Sequence, residues 1–112
     1  MPVPINEALL MRGQERFNIS CAPCHGITGL GNGMVAKRAG GAFVPANLQD
    51  ERIRTSPDGY IFEVITNGIR AMQSLRHQIP EHDRWAIIAY LRALQRSQHA
   101  TASDVPAGEK VN

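Results

Sequence analysis

Both cysteines of the chain stand in one run, Cys21-Ala22-Pro23-Cys24-His25, and Cys-x-x-Cys-His is the pattern by which haem c is attached to a polypeptide. The spacing has a physical reason. Positions i, i+3 and i+4 share one face of a helical turn, so Cys21 and Cys24 can each form a thioether with a vinyl group while His25 reaches the iron from the same side. One turn fixes both the ring and its proximal ligand. Two other chemistries use a Cys-x-x-Cys pair. A thioredoxin-like redox couple needs a strand-to-helix context that the flanking sequence lacks, and a zinc site draws on further cysteines that the chain does not have.

An iron that is to carry electrons without binding small molecules needs a sixth ligand, and the choice lies between Met sulfur and His imidazole. The candidates are Met11, Met34, Met72, His77, His82 and His99. Met11 falls in the first helical segment, on the proximal side, and is expected in the core. Met34 stands nine residues past His25, where the chain would have to cross the ring edge at once, so a packing role is expected. Met72 stands 47 residues past His25, after a complete helix and a helix-ending Asn67-Gly68. That leaves ample chain to reach the opposite face. Met72 is the first choice and His77 the second, with His82 and His99 read as solvated imidazoles. The glycine-rich run from Gly26 to Gly33 superficially suggests a phosphate cradle, but no strand precedes it and no Lys-Ser/Thr follows. Glycine there lets backbone pass close to a flat ring.

The elements that position these residues are helical. Residues 6–20 form a helix that Asn6 can cap, with Ile5 and Leu10 at the positions of a hydrophobic staple and Leu10, Gly13 and Phe17 on one stripe. A long loop follows, carrying six glycines between Gly26 and Asp50, with a single helical turn over 34–38. Ser56 is placed as N-cap and Pro57 as first residue of a second helix that ends at Asn67-Gly68. Residues 81–96 give the clearest helix: Trp85, Ala86, Ile87, Ile88, Tyr90, Leu91 and Leu94 cover a broad apolar face, and Arg84, Arg92 and Arg96 are assigned elsewhere. No strand alternation and no internal repeat occur, so the fold class is all-α. One domain is expected over residues 1–97, and residues 98–112 read as a polar C-terminal tail or linker.

Composition is consistent with a small protein built around a cofactor. A chain of 112 residues makes one small domain, and its six aromatics, Phe17, Phe43, Tyr60, Phe62, Trp85 and Tyr90, are few for a core. A covalently held apolar ring would supply the missing bulk. Ten arginines and two lysines face ten acidic residues, a balance that excludes a nucleic-acid partner. No apolar run approaches the 18 or so residues that span a bilayer. The N-terminus, Met-Pro-Val-Pro-Ile, has neither the basic nor the apolar region of a signal peptide, so an exported form is expected to have had its address removed.

Three segments together, Gly13-x-x-x-Phe17-x-x-x-Cys21-Ala-Pro-Cys24-His25-Gly26, Asn67-Gly68-x-x-x-Met72 and Asp83-Arg84-Trp85-Ala86-Ile87-Ile88-Ala89-Tyr90-Leu91-Arg92, resemble the class I c-type cytochromes across nearly the whole folded part. The resemblance implies crossed N- and C-terminal helices, with a small residue at Gly13 letting Phe17 and Tyr90 pack closely, and loops wrapped around one covalently attached haem. It also implies that Phe43-Val44-Pro45-Ala46-Asn47-Leu48 lines the proximal wall and that the Pro45 carbonyl accepts the Nδ1 proton of His25. Trp85, Tyr60 and Tyr90 are either donors to haem propionates or core aromatics. More narrowly, Pro-Val-Pro-Ile, Arg12-Gly-Gln-Glu-Arg-Phe17-Asn, Gly31-Asn-Gly-Met-Val-Ala36 and Phe62-Glu-Val-Ile-Thr-Asn-Gly68 resemble the monohaem cytochrome c subunit of bacterial alternative complex III, a quinol:electron-acceptor oxidoreductase. One departure stands out, since the family usually has Pro after the ligand Met and this chain has Gln73.

The function so implied is that of a single-electron carrier rather than an enzyme. Its His/Met-ligated iron would pass electrons between a respiratory quinol-oxidising complex and a terminal oxidase, a soluble carrier or another cytochrome. Redox proteins are the expected partners, with no small-molecule substrate, and any membrane association would run through a complex or a missing anchor. A haem-based peroxidase or gas-binding domain is the alternative if Met72 is labile. Arg70 and Arg76 flank Met72, and Lys37 and Arg38 precede them in the chain, so either a basic rim for an acidic partner or scattered solvated charge results. Haem c is attached outside the cytoplasm, which puts the expected location in the periplasm or on the extracytoplasmic face of the membrane.

Overall fold

The computed structural model describes residues 1–38, 45–69 and 72–99. Phe43, Val44, Arg70 and the expected tail from residue 100 onward lie outside them. Among the described residues the chain is all-α: α1 (Glu7–Ser20), α2 (Ala22–His25), α3 (Met34–Arg38), α4 (Glu51–Arg54), α5 (Asp58–Asn67) and α6 (Glu81–Gln98). One isolated bridge, between Ile69 and Met72, is the extent of β pairing there. No described helix is long and apolar enough to cross a membrane.

Asn6 caps α1, its side-chain oxygen accepting from the Leu9 amide at 2.9 Å, which satisfies one of the helix's orphan donors. The expected staple is replaced. Ile5 is 61% exposed, and Val3 packs instead, with Leu10, against Leu9, Ala86 and Ala89. The apolar surface to be covered is on α6, and Val3 is the residue that covers it. The buried stripe of α1 is accordingly Leu9, Gly13 and Phe17, spaced i, i+4, i+8, with Leu10 only half-buried at its margin.

That stripe is where α1 crosses α6. A Cβ on Gly13 would overlap the Ala86 carbonyl and lie 2.8 Å from the Tyr90 Cβ, so any larger residue would push the helices apart. At the crossing the Phe17 and Tyr90 rings sit 5.4 Å apart, inclined at 57°. Phe17 is fully buried and joins Ile61, Ile65, Ile79, Ile87, Ile88 and Leu91 in the main core; burying a side chain of that kind contributes about 1.5–3 kcal/mol. Beside the apolar seam, Arg12 of α1 grips Asp83 of α6 through Nε and Nη2, each 3.0 Å from a carboxylate oxygen.

Three local expectations change. The second long helix starts one residue later than expected: Pro57 stands at the N-cap with ψ 148°, an extended conformation that cannot be the first helical residue. Ser56 turns back and donates its hydroxyl to the Arg52 carbonyl at 2.6 Å. The short α4 has no counterpart among the elements expected from the sequence. Its C-terminal carbonyls are satisfied from far along the chain, where Arg92 donates to Ile53 O and Arg54 O at 3.2 Å and to Asp58 Oδ1 at 2.8 Å. Finally, Arg84, assigned off the apolar face of the last helix, is buried, and Arg92 is half-buried. Arg84, Ile88, Leu91 and Gln95 form one buried i, i+4, i+7, i+11 row, so arginine occupies a core position.

Candidate functional site

The Cys-x-x-Cys-His run is a helical turn that continues α1. Cys21 is at once the C-cap of α1, donating to the Phe17 carbonyl at 2.8 Å, and the residue from which α2 starts. Its own carbonyl accepts from the Cys24 amide at 3.1 Å and the His25 amide at 2.9 Å. Cys21, Cys24 and His25 are thereby brought together on one turn. The carbonyl end of α2 would leave orphan acceptors; Gly31 donates to the His25 carbonyl at 2.8 Å and Gly33 to the Cys24 carbonyl at 3.0 Å. Gly33 must be glycine for this contact, since a Cβ there would overlap the Pro23 carbonyl and lie 2.5 Å from that of Ala22.

His25 is oriented by a second segment. Its Nδ1 lies 2.9 Å from the carbonyl oxygen of Ala46, not that of Pro45, whose carbonyl lies against Gly31 instead. The acceptor is thus one residue further along than expected, because which way a peptide turns its oxygen is set by the loop's anchorage and not by side-chain type. Three bonds anchor that loop: Leu48 N to Gly29 O at 2.6 Å, Gln49 Nε2 to Thr28 O at 2.7 Å and Gln95 Nε2 to Leu48 O at 2.8 Å. A carbonyl can only accept, so Nδ1 carries the proton and the Nε2 lone pair is left free. Burial pushes the His25 pKa below its ordinary 6.5, with the Ala46 bond opposing. The imidazole is therefore neutral at pH 7, the form that binds a metal.

The thiols point to the same chemistry. Burial, with a smaller effect from Cys24, pushes the Cys21 thiol up to about 12, so without a partner group it is a neutral thiol and not a reactive thiolate. A neutral carbon–sulfur bond suits that dry position. Among the described residues no cluster of three or more His, Cys, Asp or Glu side chains could hold a bare metal ion. The donor set, two free cysteines and one Nδ1-protonated histidine on a single turn, fits an attached haem.

Met72 is held on a different element, the loop after α5. It pairs with Ile69 through Met72 N to Ile69 O at 2.8 Å and Ile69 N to Met72 O at 3.1 Å, and is half-buried. Met11 and Met34, expected to be packed, are 62% and 60% exposed, because neither faces the α1–α6 seam. His77, His82 and His99 are exposed. Trp85 stacks on Phe62 with ring centroids 4.3 Å apart, Tyr90 packs on Phe17, and Tyr60 is largely exposed. Sequence reasoning placed Ala46 in the proximal wall but missed it as the acceptor, and missed Gln49 and Gln95, whose roles depend on backbone direction and distant contacts. Gln95 and Arg84 carried one usable signal, their place on the same helical stripe as Ile88 and Leu91.

The comparisons with known proteins agree with this fold. The family model described as cytochrome C oxidase, cbb3-type, subunit III matches residues 8–91, a span holding α1 through most of α6. A search of curated proteins gave no match. Among solved structures, a chain of the reducing HAO-like protein complex of Kuenenia stuttgartiensis superposes with a TM-score of 0.69 at 18% identity, over 84% of this chain and 47% of that one. This chain thus spans about half the length of that relative, and at such identity the likeness is one of fold.

Proposed function

This chain belongs to the family of the cytochrome c oxidase, cbb3-type, subunit III, and from that premise we propose a single-electron carrier in which His25 and Met72 ligate the iron of one haem c attached through Cys21 and Cys24. Electron transfer is the work of cytochrome c domains. Bound haem supplies a one-electron iron couple; the chain supplies ligation, dryness and a docking surface. Cys21 and Cys24 hold the ring. His25, oriented by Ala46, would offer its Nε2 lone pair to the iron, and the same hydrogen bond would raise the ligand's basicity. Met72 would supply the second protein ligand, and its soft sulfur would favour the reduced state and a higher potential.

The observation that carries this reading is the His25 Nδ1 to Ala46 O bond at 2.9 Å on the same turn as both cysteines. It fixes the one tautomer that can bind iron through Nε2. The resemblance to the monohaem subunit of alternative complex III supports a quinol-oxidising complex as electron donor, with a terminal oxidase or soluble carrier as acceptor. The solved relative is likewise part of a protein complex. The need to attach haem in an oxidising compartment supports a place in the periplasm or on the extracytoplasmic membrane face.

The absorption spectrum tests the ligand set. The ferric protein should be low-spin with the far-red sulfur-to-iron charge-transfer band, and Met72→Ala should abolish that band and open the ferrous iron to carbon monoxide. A band that survives Met72→Ala would hand the role to another methionine. A wild-type protein that is high-spin or binds carbon monoxide readily would instead indicate a peroxidase or gas-binding domain.

A further inference from the structure

Arg84 is 9% exposed, and among the described residues no carboxylate lies within ion-pair distance of it. A buried guanidinium without a counter-charge is costly, so what it holds is informative. Nε donates to the Ile79 carbonyl at 2.9 Å, Nη2 to the Arg76 carbonyl at 2.9 Å and Nη1 to the Thr66 hydroxyl at 3.2 Å. The guanidinium carbon lies 5.5 Å from the centre of the Phe62 ring, which is itself stacked on Trp85.

These acceptors stand on both limbs of one loop. Thr66 is in the last turn of α5, Arg76 and Ile79 precede α6, and Met72 lies between them. Around the same neck the Ser74 hydroxyl donates to the Thr66 carbonyl at 2.6 Å, the Leu75 amide to the Ile65 carbonyl at 2.9 Å, and the Arg76 side chain to Asn67 Oδ1. The residue after Met72 is Gln73, whose φ is unrestrained where a proline would fix it. Restraint of the arm must therefore come from bonds across its neck, and those of Arg84 are the ones that reach it from another helix. We propose that Arg84 is the positioning residue of the Met72 arm: from α6 it ties the two limbs of the 66–79 loop together and so presents the sulfur to the iron. Conventional surface pairing would not need a buried cation. Carbonyl and hydroxyl acceptors, unlike a carboxylate, spread the bond over three points of the chain and fix the loop's shape.

This inference rests on Met72 as ligand, and the test separates the two. In the holoprotein, loss of the ferric far-red band on heating is followed alongside loss of helix by circular dichroism, and the rate of carbon monoxide binding to the ferrous form is measured. Arg84→Gln should lose the band well before the helices melt and bind carbon monoxide about tenfold faster, the effect of 1.4 kcal/mol of lost closure. Arg84→Lys, which can keep one bond, should fall between. Arg12→Ala, which removes the ion pair of the helix crossing, should lower both melting curves together and leave the carbon monoxide rate unchanged. Should Arg84→Gln fail to fold, Thr66→Val removes one acceptor at nearly constant volume and must show the same early loss of the band. Variants in which band and helices melt together, or an Arg12→Ala as reactive as Arg84→Gln, overturn the proposal alone. A wild-type protein without the band overturns the Met72 ligand and this inference with it.

Discussion

The two sides of the candidate haem site are built differently. The His25 side is a matter of backbone: α2 continues α1 directly, the Gly31 and Gly33 amides close its carbonyl end, and the Ala46 carbonyl orients the imidazole. The Met72 side is a loop whose neck is closed by a side chain reaching over from α6, with Arg84 donating to Thr66, Arg76 and Ile79. A ligand held by backbone packing should yield only when the domain yields. One held by a few bonds across the neck of a loop, with a side chain of another helix among them, can open locally.

The strongest way to break the contrast is at Gly33. Gly33→Val would drive a branched side chain into the Pro23 and Ala22 carbonyls, which backbone cannot evade. Overpacking of this kind costs about 2–3 kcal/mol and should lower the melting temperature by roughly 10–20 °C. The band and the helices should fall together in a melt followed at both wavelengths. If the band went first, the His25 side would be no more rigid than the Met72 arm.

A smaller effect sharpens the same point. Gln95 is buried, donates to the Leu48 carbonyl at 2.8 Å and accepts from Arg92 at 2.9 Å. Gln95→Leu takes this donor from the Leu48 carbonyl and one of several acceptors from Arg92, at a cost of about 1–3 kcal/mol. Since Leu48 anchors the segment that carries Ala46, the loss belongs to the His25 side and should again appear as a common fall of band and helix rather than as faster carbon monoxide binding.

How much of this could be read from the sequence follows the same division. The Cys21-x-x-Cys24-His25 turn, the single turn over 34–38 and the α1 and α6 helices depend on local spacing, and the structure has them with ends shifted by at most two residues. The crossing at Gly13 was legible through resemblance. Ala46 in place of Pro45 was not, because a carbonyl's direction leaves no mark on residue type. Neither was α4, which is four residues long and depends on an arginine some 40 positions further along. Arg84 was misassigned because charge outweighed position: it sits on the stripe of Ile88 and Leu91, and the period alone would have put it inside.

The helix crossing carries both sides of the site, so disturbing it should leave the contrast intact. Its titrating element is Asp83, whose carboxyl the Arg12 guanidinium holds below the ordinary value of 3.8 by direct hydrogen bonding, with Arg16 and His82 adding to this and burial opposing it. A depressed carboxyl pKa means that the unfolded chain takes up the proton more readily than the folded one. The stability it confers is thus fully present above 3.8 and is lost as the pH falls through the lower, folded value. Because the Arg12 side chain is 43% exposed, water and salt screen the pair, and its loss should cost less than Gln95→Leu does. Asp83→Asn should be less stable than the wild type near neutrality, should show a flatter acid limb, and should approach the wild type at the lowest pH. At every pH the far-red band and the helices should melt together, since α1 and α6 frame the proximal turn and the Met72 arm alike. If acid removed the band while the helices stood, the Met72 arm would depend on Asp83 as well as on Arg84, and the crossing would no longer be a neutral frame.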